Sequence, residues 1–244
     1  QKYLGAEAVE GDRRPDEQLK DGAQEFISAV VRAENVYDDD KDRLTEFVGE
    51  MSDMFRQMGL VSSIDVTVPA YSSYWSLCYD RKALAEKVDY MMVMTYDEHW
   101  ASCPTSGSVA SLPWTENNIN KMLKLVPKEK LLLGIPLYTR EWTETKTNGK
   151  IRTKSQTRWM KDVEKIIRDK NITPTWLPEI GQDYLEYEEN GKKHRIWIEN
   201  ARSIKERLSL VQKYDLAGAA SWRKGFETED IWPIYYDSLK PIPT

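Results

Sequence analysis

The sequence predicts an α/β protein built around a parallel sheet. From residue 41 onward, helical and strand patterns alternate along the 244-residue chain. The strand patterns are short and nearly free of charge, which is typical of strands covered by helices on both faces. Right-handed crossovers would either curl such units into a barrel or stack them in an open sheet, and the pattern alone leaves both architectures open.

Each element is predicted from its periodicity and from the residues at its ends. Apolar residues at steps of three and four indicate the helices, and uncharged or alternating runs indicate the strands. Gly59 is expected to end the first helix, and Thr115 is the expected N-cap of the third. The predicted elements are a helix over 41–59, a strand over 60–70, a helix over 80–88, a strand over 88–96, a helix over 114–126 that ends before Pro127, a strand over 131–142, a helix over 157–170, a hairpin over 183–200, a helix over 201–215 and a buried strand over 216–225.

The regular alternation stops after residue 142. Asn190-Gly191, between two strand-like runs, is a strong hairpin signal because both residues tolerate the positive φ of a two-residue turn. A small α+β insertion is therefore predicted over 143–200, before the last strand and the C-terminus at 201–244. Strand-helix units are expected over 34–142. The segment 1–33 is an N-terminal segment of unclear match, and its residues 1–26 contain no convincing strand.

Composition argues against several classes of function. Lys and Arg number 35 against 40 Asp and Glu, a net charge of −5 with both signs interspersed, so no basic stripe for nucleic acid is expected. No apolar run approaches the ~20 residues of a membrane span. His99 and His194 lack metal-ligand spacing, and no glycine-rich nucleotide loop occurs, so we expect no metal and no cofactor. Cys78 and Cys103 are expected to be unpaired thiols.

Aromatic and polar side chains follow four of the predicted strands. Ligands bind at the carboxyl ends of parallel strands, so these side chains are candidate site residues. One such residue alone would more simply cap the core or begin a turn, but four similar strand ends favour a site. A flat pocket of this kind suits sugars, whose C–H faces stack on aromatic rings while hydroxyls bond to polar groups. The residues are Tyr71, Tyr74, Trp75, Tyr96, Asp97, Trp100, Tyr138, Arg140, Trp142, Trp222 and Arg223.

Four segments carry a family resemblance: MMVMTYDEHW, LLLGIPLYTREW, RIWIENARSIKERL and LAGAASWRKGFETEDIW. Together they resemble consecutive segments of glycoside hydrolase family 18, over roughly residues 34–240. The most similar branch is that of bacterial spore-cortex and cell-wall N-acetylglucosaminidases, which are related to chitinases. The resemblance implies a (β/α)8 TIM barrel with an α+β insertion before the last strand. It also implies hydrolysis of β-1,4 bonds next to N-acetylglucosamine, in peptidoglycan ahead of chitin, outside the cytoplasm at the cell wall or spore.

The resemblance implies roles for individual residues as well. Tyr96 and Asp97 fall on the family's Met-x-Tyr-Asp pattern, which holds the acetamido group of the substrate. In this family that acetamide serves as the nucleophile. Trp222 matches the tryptophan beneath the reacting sugar, and Glu34 takes the position of the acid that ends D-x-x-D-x-D-x-E. Further sugar contacts are expected at Tyr138, Arg140, Trp142 and Trp100.

The chain departs from the family at this acidic motif. Ile27, Val30 and Arg32 stand at the motif positions before Glu34, where aspartates are expected. A guanidinium at position 32 could pair with Glu34 and favour its ionised form, the opposite of what a general acid needs. Three alternatives therefore stay open: a glycosidase, a sugar-binding barrel that has lost catalysis, and a fragment that assembles with other parts of a cell-wall protein and has no competent pocket. A surface carboxylate is the plain alternative for Glu34.

The length before Glu34 is a second departure. Three strand-helix units of a barrel belong there, and a whole barrel takes ~250 residues, yet only 33 residues precede Glu34. The sequence thus predicts a TIM barrel that is incomplete at its N-terminus. Three explanations stay open: the chain is a fragment of a longer protein, other domains or a partner chain complete the barrel, or the first 33 residues record the natural sequence poorly.

Overall fold

A computed structural model describes residues 28–31, 36–70, 72 and 75–239. The chain falls into two compact units. One holds the described residues up to Val93 together with Met122–Leu132, and the other holds Met94–Lys121 and the described residues from Leu133 onward. The candidate acid Glu34 and its neighbours Ile27 and Arg32 lie outside the described residues, as do Tyr71 and Tyr74.

Two five-stranded sheets contain all the strands of the described residues. One has the strand order β1-β2-β3-β4-β10 and the other the order β6-β5-β9-β8-β7. The first sheet comprises β1 (Ser28–Val31), β2 (Val61–Thr67), β3 (Tyr90–Met94), β4 (Leu131–Pro136) and β10 (Gly218–Trp222). The second comprises β5 (Tyr138–Thr147), β6 (Lys150–Trp159), β7 (Thr175–Leu177), β8 (Gln182–Glu189) and β9 (Lys192–Ile198).

The first unit confirms the predicted helix-strand alternation. Strand β1 pairs in parallel with β2, with Ser28 opposite Val61. Helix α1 (Lys41–Gln57) connects them, and Gly59 follows it at φ +72°, a conformation that favours glycine. Helix α2 (Arg81–Lys87) begins at Asp80, whose carboxylate accepts from the Ala83 backbone N–H at 3.0 Å.

The second unit contains the antiparallel sheet. Its strands pair as β5 with β6 and β9, and as β8 with β7 and β9. The predicted hairpin is confirmed: β8 and β9 meet at Asn190 and Gly191, with φ of +52° and +68°. Helix α4 (Met160–Lys170) covers this sheet through Val163, which is buried against Leu185, Ile196 and Ile198. The remaining helices are α3 (Leu112–Met122), α5 (Ala201–Lys213) and α6 (Ile231–Leu239).

The expected N-cap of the third helix was wrong. Helix α3 begins at Leu112, and Thr115 lies within its first turn, where its N–H donates to the Ser111 carbonyl at 2.9 Å. Pro113 suits this earlier start because its fixed φ fits the first helical turn, where a backbone N–H has no helical partner.

Two further boundaries differ from the prediction, and so does the burial of one strand. The predicted strand 131–142 divides at Leu137 into β4 and β5, and residues 157–159 belong to β6 rather than to a helix. Strand β10 was expected to be buried but is half-buried along its whole length, which fits its place at the end of the strand order. The unpaired state expected for the cysteines is confirmed, since Cys78 and Cys103 are free and buried.

None of the helices in the described part of the chain has the length and apolar character that crossing a bilayer requires.

Candidate active site

The site is built around the carboxylate of Asp97, which follows β3 by three residues. Thr95 fixes the strand end, because its hydroxyl donates to the Gly134 carbonyl at 2.6 Å. The chain then turns at Asp97, whose φ is +62°. Its Oδ1 accepts two hydrogen bonds, from the Tyr138 hydroxyl at 2.7 Å and from Arg140 Nη2 at 2.7 Å. The residues after β3 and the start of β5, which are distant in sequence, thus meet at one carboxylate oxygen.

The two donors stand on the same face of β5 because they are two residues apart on a strand. Tyr138 and Arg140 are both buried, whereas the Asp97 side chain is 39% exposed. Both hydrogen bonds that the described residues make to this carboxylate go to Oδ1, and neither involves Oδ2. Two donors therefore fix Oδ1, and Oδ2 is available as a hydrogen-bond acceptor.

Tyr138 is kept as a hydrogen-bond donor by its surroundings. Burial raises the pKa of its phenol well above the ordinary value of 10.0, and the charge and the hydrogen bond of Asp97 raise it further. The ring of Tyr96 lies edge-on to that of Tyr138, with centroids 6.2 Å apart. Tyr96, predicted to act beside Asp97, therefore belongs to the same cluster.

The segment from Glu98 to Ser111 folds back on itself beside this cluster. The Glu98 N–H donates to the Val109 carbonyl at 2.8 Å, and the Glu98 carboxylate accepts from the Ser111 N–H at 2.7 Å. His99 Nδ1 lies 2.8 Å from the Ser108 carbonyl oxygen. Position 107 must be glycine here, since a Cβ at Gly107 would lie 2.3 Å from the His99 ring. This segment also supports Arg140, whose Nε donates to the His99 carbonyl at 3.2 Å.

Trp222 lies at the end of β10 and packs against the same group of residues. Its side chain contacts the buried cluster of Val109, Ala110 and Tyr138. Its carbonyl accepts from the Leu137 N–H at 2.7 Å, and the peptide bond between Trp222 and Arg223 is cis. The half-buried indole therefore shares Tyr138 with the Asp97 carboxylate.

The structure brings together five of the predicted site residues: Tyr96, Asp97, Tyr138, Arg140 and Trp222. Trp100 lies three residues after Asp97 in the chain and is 52% exposed. The expected sugar contact at Trp142 was wrong. Its side chain is fully buried, and its indole N–H donates to the Gly107 carbonyl at 2.8 Å, so it anchors the 98–111 segment and has no surface to offer a ligand.

Sequence reasoning missed how Tyr138 and Arg140 act. Both were expected to contact sugar, but their polar atoms are directed at Asp97, at the His99 carbonyl and at Thr157 Oγ1. The signal was present in the sequence, because side chains at i and i+2 of a strand share a face. Thr157 had no such signal, since its contact with Arg140 depends on the register between β5 and β6.

The described residues contain no group of three or more His, Cys, Asp or Glu side chains placed to hold a metal ion.

Comparison with known proteins confirms the family resemblance. The pattern that defines Glycosyl hydrolases family 18 matches residues 16–226. The chain is 30% identical over 175 residues to the uncharacterized glycosylase YvbX of Bacillus subtilis (strain 168), covering 68% of this chain and 48% of the relative. It is 24% identical over 208 residues to the cortical fragment-lytic enzyme of the same organism, covering 83% and 47%.

A solved structure gives the same result for the fold. The chitinase from Chromobacterium violaceum superposes with a TM-score of 0.78 at 26% identity, over 88% of this chain and 67% of that one. This likeness implies a fold of the TIM-barrel type, to which the described residues contribute mixed helices and strands. The chain spans about half the length of the curated relatives it matches. On the match over residues 16–226, the chain belongs to glycosyl hydrolases family 18.

Proposed function

We propose that this chain forms part of a glycoside hydrolase that cleaves β-1,4 linkages of N-acetylglucosamine polymers, with peptidoglycan ahead of chitin. One observation carries the proposal: a half-exposed carboxylate, Asp97, is held on one oxygen by Tyr138 and Arg140 beside an indole, Trp222. A directed acceptor beside an aromatic surface suits an acetamido sugar. Relatives named as a cortical fragment-lytic enzyme and a chitinase support the substrate class and a place of work at the cell wall or spore.

The proposed reaction retains configuration and uses the substrate's own acetamide. The acetamide oxygen bonds to the anomeric carbon while the glycosidic C–O bond breaks, and an acid gives its proton to the leaving oxygen. Water then attacks the anomeric carbon and gives a proton to the same carboxylate, which restores the acid. The bond between the acetamide oxygen and the anomeric carbon breaks in this step, and the acetamide is restored. Asp97 Oδ2 would accept the acetamide N–H, an interaction that strengthens as positive charge develops on the amide. Tyr96 would help to orient the same group.

The acid of this proposal is Glu34, which rests on the family resemblance. It follows β1 (Ser28–Val31) by three residues and lies outside the described residues. Trp222 would form the floor beneath the reacting sugar, and Trp100 would contact a neighbouring sugar.

The test is release of a fluorophore from an N-acetylglucosamine oligomer glycoside by the full chain and by Glu34→Gln. We expect a measurable rate for the unchanged chain and a loss of ~100-fold or more without the acid. The variant Asp97→Asn should also react more slowly. Its side-chain amide has one accepting oxygen and one donating nitrogen, so it cannot accept at both positions as the carboxylate does. If neither the unchanged chain nor Glu34→Gln releases fluorophore although both are folded, the catalytic proposal is wrong.

A second candidate function is supported by the residues before Glu34. Ile27, Val30 and Arg32 replace the expected aspartates, so a sugar-binding barrel without catalysis is the alternative. It predicts saturable binding of N-acetylglucosamine oligomers with no turnover, lost in Trp222→Ala. Calorimetry of the unchanged chain with such oligomers decides, because an absence of heat would remove this alternative.

A further inference from the structure

Trp159 stands on the same face of the antiparallel sheet as the donors to Asp97. In the ladder between β5 and β6, Tyr138 is opposite Trp159 and Arg140 is opposite Thr157. Arg140 Nη1 donates to Thr157 Oγ1 at 3.3 Å, which places both members of that pair on one face. Since residues two apart on a strand share a face, Trp159 lies on it too.

The indole of Trp159 is held in place yet remains accessible. It stacks on Phe226, with ring centroids 4.8 Å apart and planes 16° from parallel. The backbone around it is fixed by two hydrogen bonds, from the Trp159 N–H to Asp162 Oδ2 at 3.0 Å and from the Met160 N–H to the Phe226 carbonyl at 3.0 Å. Trp159 is nevertheless 46% exposed. With one ring face covered by Phe226, the exposed area includes the other.

An aromatic surface connects Trp159 with the candidate site. Phe226 and Trp222 both pack against the cluster of Val109, Ala110 and Tyr138. Phe226 therefore links Trp159 to the buried cluster on which Trp222 also packs. Trp159 thus makes a stacking contact with Phe226 and still leaves nearly half of its surface exposed.

The other end of the same row of β6 supports Trp100. Ser155 lies two positions before Thr157 on the strand, and its hydroxyl donates to the Ala101 carbonyl at 2.8 Å. Ala101 follows Trp100, whose side chain is 52% exposed. The row from position 155 to position 159 spans ~13 Å at the usual strand rise. Exposed indoles thus stand towards both ends of the row that holds Arg140 at its centre.

We propose that Trp159 is a sugar-stacking subsite for a β-linked N-acetylhexosamine chain, on the side of the Asp97–Arg140 pair away from Trp100. The assignment rests on the proposed function and adds to it a preference for long chains over short ones. Stacking of a sugar C–H face on a fixed indole needs no ordering of the side chain when the ligand binds. A substrate too short to reach Trp159 gains nothing from it.

The test compares Trp159→Ala, Trp159→Phe and the control Trp232→Ala. Trp232 on α6 has the same 46% exposure but lies beside Tyr235 and not in the row described above. The substrates are a hexamer of N-acetylglucosamine and a fluorogenic glycoside of the dimer. We expect kcat/KM for the hexamer to fall about 5- to 10-fold in Trp159→Ala, in line with loss of one aromatic contact, and to recover largely in Trp159→Phe. The dimer glycoside and the control should be unaffected.

The outcomes separate this proposal from the function on which it rests. Normal hexamer turnover in Trp159→Ala, or an equal loss in Trp232→Ala, overturns the subsite and leaves the glycosidase intact. An equal loss on hexamer and dimer also overturns it, because a subsite remote from the reacting sugar acts only on long chains. An unchanged chain that neither cleaves nor binds the hexamer overturns the proposed function itself. If the chain binds without cleaving, the same comparison of variants is made on the dissociation constants.

Discussion

At the residue scale, the site depends on an aspartate in a backbone conformation that few side chains adopt. The φ of Asp97 is +62°, and Asp is among the residues that tolerate this region best. The turn directs the carboxylate back towards β5, where Tyr138 and Arg140 donate to it. Local strain is therefore offset by two strong hydrogen bonds, and the position of Oδ2 follows from the contacts of Oδ1.

Tyr138→Phe tests this positioning of Asp97. The substitution removes one hydrogen bond to a carboxylate and keeps the buried ring, so Asp97 is left with Arg140 alone. A hydrogen bond to a charged group contributes about 1.5–3 kcal/mol, so we expect kcat on the fluorogenic glycoside to fall ~10- to 100-fold with little change in KM. Tyr184→Phe is the control, because it removes a comparable bond, 2.6 Å from the Tyr184 hydroxyl to Glu186, on an exposed surface. Equal kcat values for the two variants would contradict the positioning role.

Two tryptophans show what the sequence could and could not provide at this scale. Asp97 and Trp222 follow strands, so the rule that ligands bind at strand ends identified them. The same rule selected Trp142, which is buried, and did not select Trp159, which is exposed. Burial depends on which segment covers the strand, and the 98–111 segment covers Trp142 through a contact with Gly107. That contact is set by tertiary structure and has no local signal.

At the element scale, turn chemistry predicted more than periodicity did. Asn190-Gly191 identified the β8–β9 hairpin because both residues adopt positive φ. The same dipeptide at Asn148-Gly149 closes the β5–β6 hairpin, with φ of +49° and +75°, and it could have been found by the same rule. Strand β6 was instead hidden by its composition, since its polar, mostly exposed residues have no apolar face to reveal a strand.

The opposite face of β5 carries a buried carboxylate, Glu141, that links four strands of this sheet. Glu141 accepts from Arg158 Nε at 2.7 Å, from the Tyr187 hydroxyl at 2.5 Å and from His194 Nδ1 at 2.7 Å. These groups line a cavity of about 420 Å³ together with Lys170 of α4. Burial acts to raise the pKa of Glu141, but the three donors outweigh it, and the pKa lies below the ordinary value of 4.5.

The lowered pKa of Glu141 therefore predicts how the free energy of unfolding depends on pH. A carboxyl whose pKa is lower in the folded chain than in the unfolded chain stabilises the fold above its unfolded pKa, and this contribution is lost as pH falls towards the folded pKa. We expect the free energy of unfolding of the unchanged protein to decrease as pH falls below 4.5, and to decrease less steeply in Glu141→Gln. Urea unfolding at a series of pH values measures both slopes. Glu164→Gln, an exposed substitution on α4, is the control. Parallel curves for Glu141→Gln and the unchanged protein would contradict the prediction.

At the scale of the whole molecule, the family was predictable and the catalytic acid was not settled. The four quoted segments are sufficient for family recognition because they contain the residues that meet at Asp97 and Trp222. The acid depends on residues before Val36, where the sequence departs from the family motif and the described residues have gaps. The chain also spans about half of its relatives, so composition and length could not indicate what surrounds it in a whole protein.

The elements of the second unit are joined at one buried ion pair. Arg207 of α5 donates to both carboxylate oxygens of Glu199, at 2.6 and 2.7 Å, and to the Ala110 carbonyl. Gln182 of β8 donates to the same carboxylate at 2.7 Å. Both members of the pair are fully buried, and burial raises the pKa of Glu199 to about 7 despite the guanidinium. The pair thus connects α5, the end of β9 and the start of β8 with the segment that packs on Trp222.

Arg207→Gln should therefore weaken the whole unit and not only one helix. It leaves a buried carboxyl without its cation and the Ala110 carbonyl without a donor, and breaking a buried pair costs about 3–5 kcal/mol. We expect a loss of this size in the free energy of urea unfolding, with coincident transitions in circular dichroism and tryptophan fluorescence because the affected elements unfold together. The control is Arg168→Gln on α4, where an exposed pair with Asp169 at 3.8 Å should contribute less than about 1 kcal/mol. A loss no larger than that of the control would show that the pair does not stabilise the unit. Separate transitions would show that α5 unfolds independently of the segment around Ala110.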